Sequence, residues 1–225
     1  MALIDRRSLL GAGLVVPLVF LPGCTGIGGF DLTEAIRRLL TLSSQRAFAS
    51  LLAEDGFYDD QLARITLPSE IGGSRSSSIL GRILGTSLVR NRLLRELNRA
   101  GAAGARRAAP VVTDAIRGFS VADAMAIIRG GGDAATSALR GQMGDSLVTA
   151  MVPEIGGALR VADNEIVGQV LQAATGIDFG GLRDDVTRKA ANGIYAAMGR
   201  EEAAIRANPQ ATNDPIIIGA FGLIG

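Results

Sequence analysis

Period-two runs of Val, Ile, Thr and aromatic residues, the signature of a sheet, are missing from this chain. Ala, Leu, Arg and Gly dominate instead, and aromatic residues make up only 4%. A chain without strand signals has to bury its apolar surface between helices. With 48% hydrophobic and 20% charged residues, it has enough apolar surface for a core and is no disordered tail. The expected fold is all-α: a single compact bundle of about seven to eight helices over residues 31–225.

Helix punctuation supports this. Asp31 with Glu34 three residues on reads as a capping box, and Ile36, Leu39, Leu40, Ser43 and Ala47 follow at helical spacing. Asp55-Gly56-Phe57 is expected to end that unit. Ile65-Thr66-Leu67-Pro68 reads as an extended connector, because Pro68 disfavours a helical Leu67. The spacing predicts a helix from Ser87 to Arg107, with Pro110 in the first turn of the next. Ser120 is the expected N-cap of a helix that has Asp123 at its third position and stops at Gly130. Asp133 caps another, and Pro153 and Asn164 mark further starts. The last long helix is expected from Leu182 to Ala207, with Val186, Ala190, Ile194, Ala197 and Ile205 on one stripe. Asp184–Arg188, Asp185–Lys189 and Glu202–Arg206 have the spacing of i,i+4 ion pairs. The apolar tail, Ile216 to Ile218 and Phe221 to Ile224, should dock on the body.

Residues 1–23 read as an export signal: Arg6 and Arg7, then an apolar stretch from Leu9 to Leu21. As a helix that stretch rises only about 20 Å, short of a bilayer core. Leu21-Pro22-Gly23-Cys24 resembles a bacterial lipobox, with Pro22 atypical, which would make Cys24 the site of acylation. Asp5-Arg6-Arg7-Ser8-Leu9-Leu10 resembles a twin-arginine signal. An ordinary cleaved signal, or an internal Cys in a small core, is the plainer reading. Thr25 is not the Asp that often retains lipoproteins in the inner membrane, which favours the periplasmic face of the outer membrane over the alternatives, the inner membrane or the soluble periplasm. Residues 24–30 form a Gly-rich tether.

What is missing also restricts function. With no His, every Ser-His-Asp, Cys-His and His-metal scheme is excluded within the chain. With one Cys there is no internal disulfide and no CxxC site. A net charge of +1 supplies no global field for nucleic acid, so none is expected as a partner. Neither a metal nor a cofactor is expected.

Charge is concentrated in one place. Residues 75–107 carry eight Arg (75, 82, 90, 92, 95, 99, 106, 107) against Glu96 alone. Arg92, Arg95 and Arg99 share one helical face, suited to anionic lipid headgroups or phosphates. The plainer reading is a solvated face, or arginines paired with acids elsewhere in the fold. Asn98 lies toward the apolar arc of the same helix, where it either ties two helices together or meets a ligand. Gly130-Gly131-Gly132-Asp133 has the Gly-rich form of an anion loop but not the Lys or spacing of a P-loop; a helix stop followed by an N-cap explains it. The pairs Asp59/Asp60, Asp184/Asp185 and Glu201/Glu202 invite acid–base readings, yet adjacent helical residues point about 100° apart.

Several blocks together resemble a family of bacterial envelope proteins known only as a domain of unknown function, number 4197. They run from about Leu32 to Phe221: Asp55-Gly56-Phe57, Ile65-Thr66-Leu67-Pro68, Leu97-Asn98-Arg99-Ala100, Pro110, Asp123-Ala124 through Ile128, and Gly130-Gly131-Gly132-Asp133-Ala134-Ala135-Thr136. The closing block is Val186-Thr187, Lys189-Ala190, Gly193, Glu201-Glu202, Ile205-Arg206 and Asn208-Pro209. Asp185 stands where the family usually shows an aromatic residue, and Ile216-Ile217-Ile218-Gly219-Ala220 replaces its usual Leu-Leu-Lys-Lys. The resemblance implies a helical, exported, often lipid-anchored protein and no assigned activity. Asn98, Asp133, Thr136, Glu201, Glu202 and Arg206 belong to its motifs, with structural roles expected.

The leading expectation is a non-catalytic envelope domain. It would sit on a membrane through acylated Cys24 and contact a partner protein or lipid, with Arg92, Arg95 and Arg99 as the anionic contacts. One rival is a carrier with an apolar cavity between helices; another is a hydrolase working with carboxylates alone.

Overall fold

The first helix begins where a carboxylate can take up its free N–H groups. Asp31 is extended, and its side chain accepts from the N–H groups of Thr33 (2.9 Å) and Glu34 (3.3 Å). The reciprocal half of a capping box is not made: Glu34 reaches forward to Arg38 at 2.9 Å. The computed structural model describes residues 31–67, 86–161 and 179–222. The export signal, Cys24, the tether, Pro68, Arg75, Arg82, Asn164, Leu223 and Ile224 lie outside the described residues.

Among the described residues there are eight α-helices, one 3-10 turn and no strand. They are α1 (Leu32–Leu51), α2 (Gly56–Asp59), α3 (Ser87–Arg117), α4 (Ala124–Arg129), α5 (Ala134–Met143), α6 (Ser146–Val161), α7 (Phe179–Ala207), the 3-10 turn Pro209–Thr212 and α8 (Pro215–Phe221). α3 packs along α6 and α1 along α7; α7 also touches α3, α5 and α6, and α1 touches α2, α3, α4, α5 and α8, so α1 and α7 form the centre. The expected stripe on α7 is its buried side: Val186, Ala190, Ile194 and Ala197 are fully enclosed and Ile205 is 1% exposed.

Two prolines overturn the expected boundaries. Pro110 does not open a new helix; it lies inside α3, which runs on to Arg117. Pro153 likewise lies inside α6, which begins at Ser146. A proline in a helix interior costs about 3 kcal/mol or more. Continuing α3 buries Val112 and Ile116, and continuing α6 places Ile155 and Leu159 in the core beside Met151. Each such side chain contributes about 1.5–3 kcal/mol, which outweighs the cost. Both prolines face solvent, where the ring disturbs no packing.

Two caps also shift. Asp123, not Ser120, caps α4, accepting from the Ala126 N–H at 2.9 Å. Phe119 is 1% exposed and its carbonyl is held by Arg37 Nε at 3.0 Å, so the chain at 119–120 is anchored on α1 before the helix can start. Asp55 does not simply close the α1 unit: it takes a left-handed conformation (φ 52°) and opens the short helix α2. At the other end, Asp214 caps α8 and binds Arg38 at 3.0 Å, and Ile217, Ala220 and Phe221 are buried, so the described part of the apolar tail docks.

The segment from Asp60 to Leu67 has no regular structure beyond a turn and lies against α3 and α7. Two glycines make room for it. A Cβ on Gly101 would collide with Ile65 Cδ1, and one on Gly193 would stand 2.9 Å from Ala63 Cα and 3.0 Å from its carbonyl oxygen. At Gly193 the obstacle is backbone and cannot swing aside. Gly193→Ala should therefore cost about 1–3 kcal/mol by overpacking, despite a helix-propensity gain of up to about 1 kcal/mol. Gly157 in α6 has nothing within 4 Å of its would-be Cβ, so Gly157→Ala should stabilise by up to about 1 kcal/mol. Urea unfolding of the two variants should give midpoint shifts of opposite sign.

Candidate functional site

Asn98 is 2% exposed on α3, and every polar atom of its side chain is engaged. Its Nδ2 donates to the carbonyls of Ile65 (3.0 Å) and Leu94 (2.7 Å), and its Oδ1 accepts from the Ile65 N–H at 2.8 Å. The amide thus pairs with both backbone groups of Ile65, as a neighbouring strand would. Lys189 on α7 holds the next carbonyl, Thr66, at 3.3 Å and binds Asp185 at 2.6 Å. Asp60 is clasped by both Nη atoms of Arg200, at 2.6 and 3.2 Å, and also accepts from the N–H groups of Leu62 and Ala63. Burial alone would raise the Asp60 carboxyl, but Arg200 and the two N–H groups outweigh it and hold it below the ordinary carboxylate value.

Above this strap lies an open cleft of about 520 Å³, lined among others by Leu52, Glu54, Asp55, Tyr58, Arg99 and Arg106. The α3 arginines meet it in different ways. Arg95 binds Asp55 at 3.1 Å and lies over the Tyr58 ring at 5.0 Å. Arg64 covers the same ring at 4.7 Å and donates to the Tyr58 carbonyl. Arg99 pairs with Glu96 at 2.7 Å yet stays 61% exposed. Arg92 is exposed and makes no ion pair among the described residues. Arg106, one of the eight arginines of the basic segment, joins the face of Arg92, Arg95 and Arg99, as its place seven residues after Arg99 in the predicted helix allows. Asp55 and Tyr58 could not have been found that way, because only the turn after α1 brings them to α3.

The remaining motif residues meet elsewhere. Asp133 occupies the N-cap position of α5 without bonding any of its free N–H groups. Glu202 on α7 caps that helix instead. Its Oε1 accepts from the Ala135 N–H at 2.9 Å, and its Oε2 from the Thr136 N–H and hydroxyl, both at 2.7 Å. Arg206, one turn on, binds the same carboxylate at 2.8 Å. Its Nη atoms donate to the carbonyls of Ile128 (2.9 Å) and Ile127 (3.1 Å) near the end of α4, and its face covers Phe221 at 4.8 Å. Glu202 is fully buried; Glu201 takes no part in this network.

The carboxylate pairs are therefore distributed among cations: Asp60 to Arg200, Asp185 to Lys189 and Glu202 to Arg206. Asp184 binds Arg183 at 2.7 Å in place of the expected Arg188. Arg188 is exposed and makes no ion pair among the described residues. Among the described residues no group of three His, Cys, Asp or Glu side chains could hold a metal ion, and no helix is long and apolar enough to cross a membrane.

This chain belongs to the family described as Protein of unknown function (DUF4197), whose model matches residues 27–222. No curated protein and no solved structure matches it.

Glu202→Ala strands the N–H groups of α5 and leaves Arg206 without its carboxylate. The expected loss is about 3–5 kcal/mol in urea unfolding. Asp60 gives a separate test. A carboxyl whose folded pKa is depressed contributes stability that is present above its unfolded value of about 3.9 and is lost as pH falls through the folded value. The stability difference between wild type and Asp60→Asn, read from urea midpoints, should be largest near neutral pH and shrink on acidification below about pH 4.

Proposed function

We propose that this protein is an exported envelope domain, anchored by lipid at Cys24, that acts without catalysis by pressing the arginine face of α3 against an anionic partner. One observation carries the reading. Arg92, Arg95, Arg99 and Arg106 fall within a narrow arc of one helix and extend over about 21 Å along it. All four are exposed, while the opposite side of α3 is packed on α6 and α1. Like charges at such spacing cost a few tenths of a kcal/mol each in an isolated helix. Asp55, Glu96 and the Tyr58 ring offset part of that cost and fix the guanidinium positions. A rigid row of guanidinium groups suits phosphate or carboxylate groups presented on a surface, as in anionic headgroups or an acidic protein face.

The other readings draw less support. A lipid carrier calls for an apolar cavity between helices, whereas the cleft beside α3 is open and rimmed by Glu54, Asp55, Arg99 and Arg106. A hydrolase calls for two free carboxylates in one cleft, and of Glu54 and Asp55 the second is held by Arg95.

The test is sedimentation with vesicles of phosphatidylcholine alone or mixed with phosphatidylglycerol, using the chain with Cys24→Ala so that acylation plays no part. Binding to the anionic vesicles should exceed binding to the neutral ones and weaken with salt. Replacing Arg92, Arg95, Arg99 and Arg106 together by Gln should lower it at least about tenfold with the helical spectrum intact. Equal binding by wild type and the quadruple variant would refute a lipid surface as the partner. If crosslinking in intact cells were also unchanged by the variant, the arginine face would have no binding role.

A further inference from the structure

A second cleft, of about 570 Å³, opens between α5 and α7, away from the α3 arginines. Its walls carry two facing rows: Ser137 and Arg140 on α5, and Arg188, Asn192 and Tyr195 on α7. Arg188, Asn192 and Tyr195 are spaced i, i+4 and i+7, so the helix itself brings them to one side. Three features are unexplained by packing. First, Arg188 is exposed and has no acid among the described residues, although Asp184 stands one turn earlier and binds Arg183 instead. Second, Arg140 is held in place, its Nη2 on Asn192 Oδ1 at 2.7 Å and its face 5.1 Å over the Tyr195 ring, yet its Nε and Nη1 have no acceptor among the described residues. Third, Tyr195 is 6% exposed, and its hydroxyl has only the thioether of Met143, a weak acceptor, at 3.5 Å.

We infer that this cleft is a binding site for a small oxyanion-bearing molecule, a carboxylate or a phosphate, taken up by Arg140 and Arg188 with the Tyr195 hydroxyl beside them. Asp145, the one carboxylate lining the cleft, leaves two guanidinium groups against one acid. Two like-charged guanidiniums lining one cleft repel each other; an oxyanion between them relieves that repulsion and matches the guanidinium fork. Arg140 is already oriented by Asn192 and the ring, so little side-chain freedom remains to be lost on binding. Asn192 and Ser137 supply further polar groups at the mouth, and Gly141 and Gly144 keep the α5 rim low. Burial pushes the Tyr195 phenol up, against a smaller opposing effect of Arg140, so it stays a donor at neutral pH. The site shares no residue with the α3 cleft, so it stands or falls independently of the proposed function.

The test is calorimetric titration of the folded chain with sodium phosphate and, separately, sodium succinate, at constant ionic strength in chloride. The expected result is saturable one-site binding of at least one of them; the tighter of the two tells whether the ligand is a phosphate or a carboxylate. Arg140→Gln and Arg188→Gln should each weaken it about tenfold or more, Tyr195→Phe by less, and Arg92→Gln not at all. Arg188 is exposed and makes no hydrogen bond or ion pair among the described residues, and an unchanged helical spectrum and urea midpoint of Arg188→Gln would show that a loss of binding is not unfolding. The proposal is overturned if neither anion saturates, or if either arginine variant binds as wild type does.

Discussion

One buried carboxylate fixes where the second half of the molecule begins. Glu202 is the only ionisable side chain among the described residues that is fully enclosed. Removing a carboxylate from water costs several kcal/mol and is tolerated only when its lone pairs are fully engaged. Here the partners come from the start of α5 and the next turn of α7. Arg206, which completes the shell, also holds carbonyls at the end of α4 and covers a ring of α8. Four helices are thus positioned by one pair. Apolar contacts alone would let the short helices α4, α5 and α8 slide against α7; a carboxylate that fits only one helix start does not.

The class of fold was legible because it rests on local signals. The Asp31 cap and the stripe from Val186 to Ile205 follow from spacing and N-terminal chemistry, and both stand in the structure. The misread boundaries at Pro110 and Pro153 share one cause. A proline at a helix start is a local preference, and the burial of Val112, Ile116, Ile155 and Leu159 is a tertiary one of greater size. Asp133 shows the same contest: it has the right residue type for a cap, but a carboxylate 67 residues beyond Ala135 takes the role. Sequence could place Asn98 on the apolar arc of its helix, but not name Ile65 as the backbone it would imitate.

The two clefts differ in how they use arginine. Beside α3 the guanidiniums are spent partly on the protein's own groups, Asp55, Glu96 and a tyrosine face, and form a row suited to a surface. Between α5 and α7 the groups converge on a concavity and two of them keep unused donors. Both sites stand on helices, which hold a side chain more rigidly than loops do. Helix α7 supplies one wall of the second cleft, the Glu202–Arg206 pair and the clamp on the Asp60 strap.

The chain has no Trp and two Tyr. One of them, Tyr58, lies in the cleft beside α3 with two guanidiniums over its ring, and the other, Tyr195, in the cleft between α5 and α7 under a third. The whole tyrosine emission of the protein therefore originates at the two places where a ligand would arrive. A single Tyr→Phe exchange in either cleft leaves a molecule whose light reports the other alone, with no label attached.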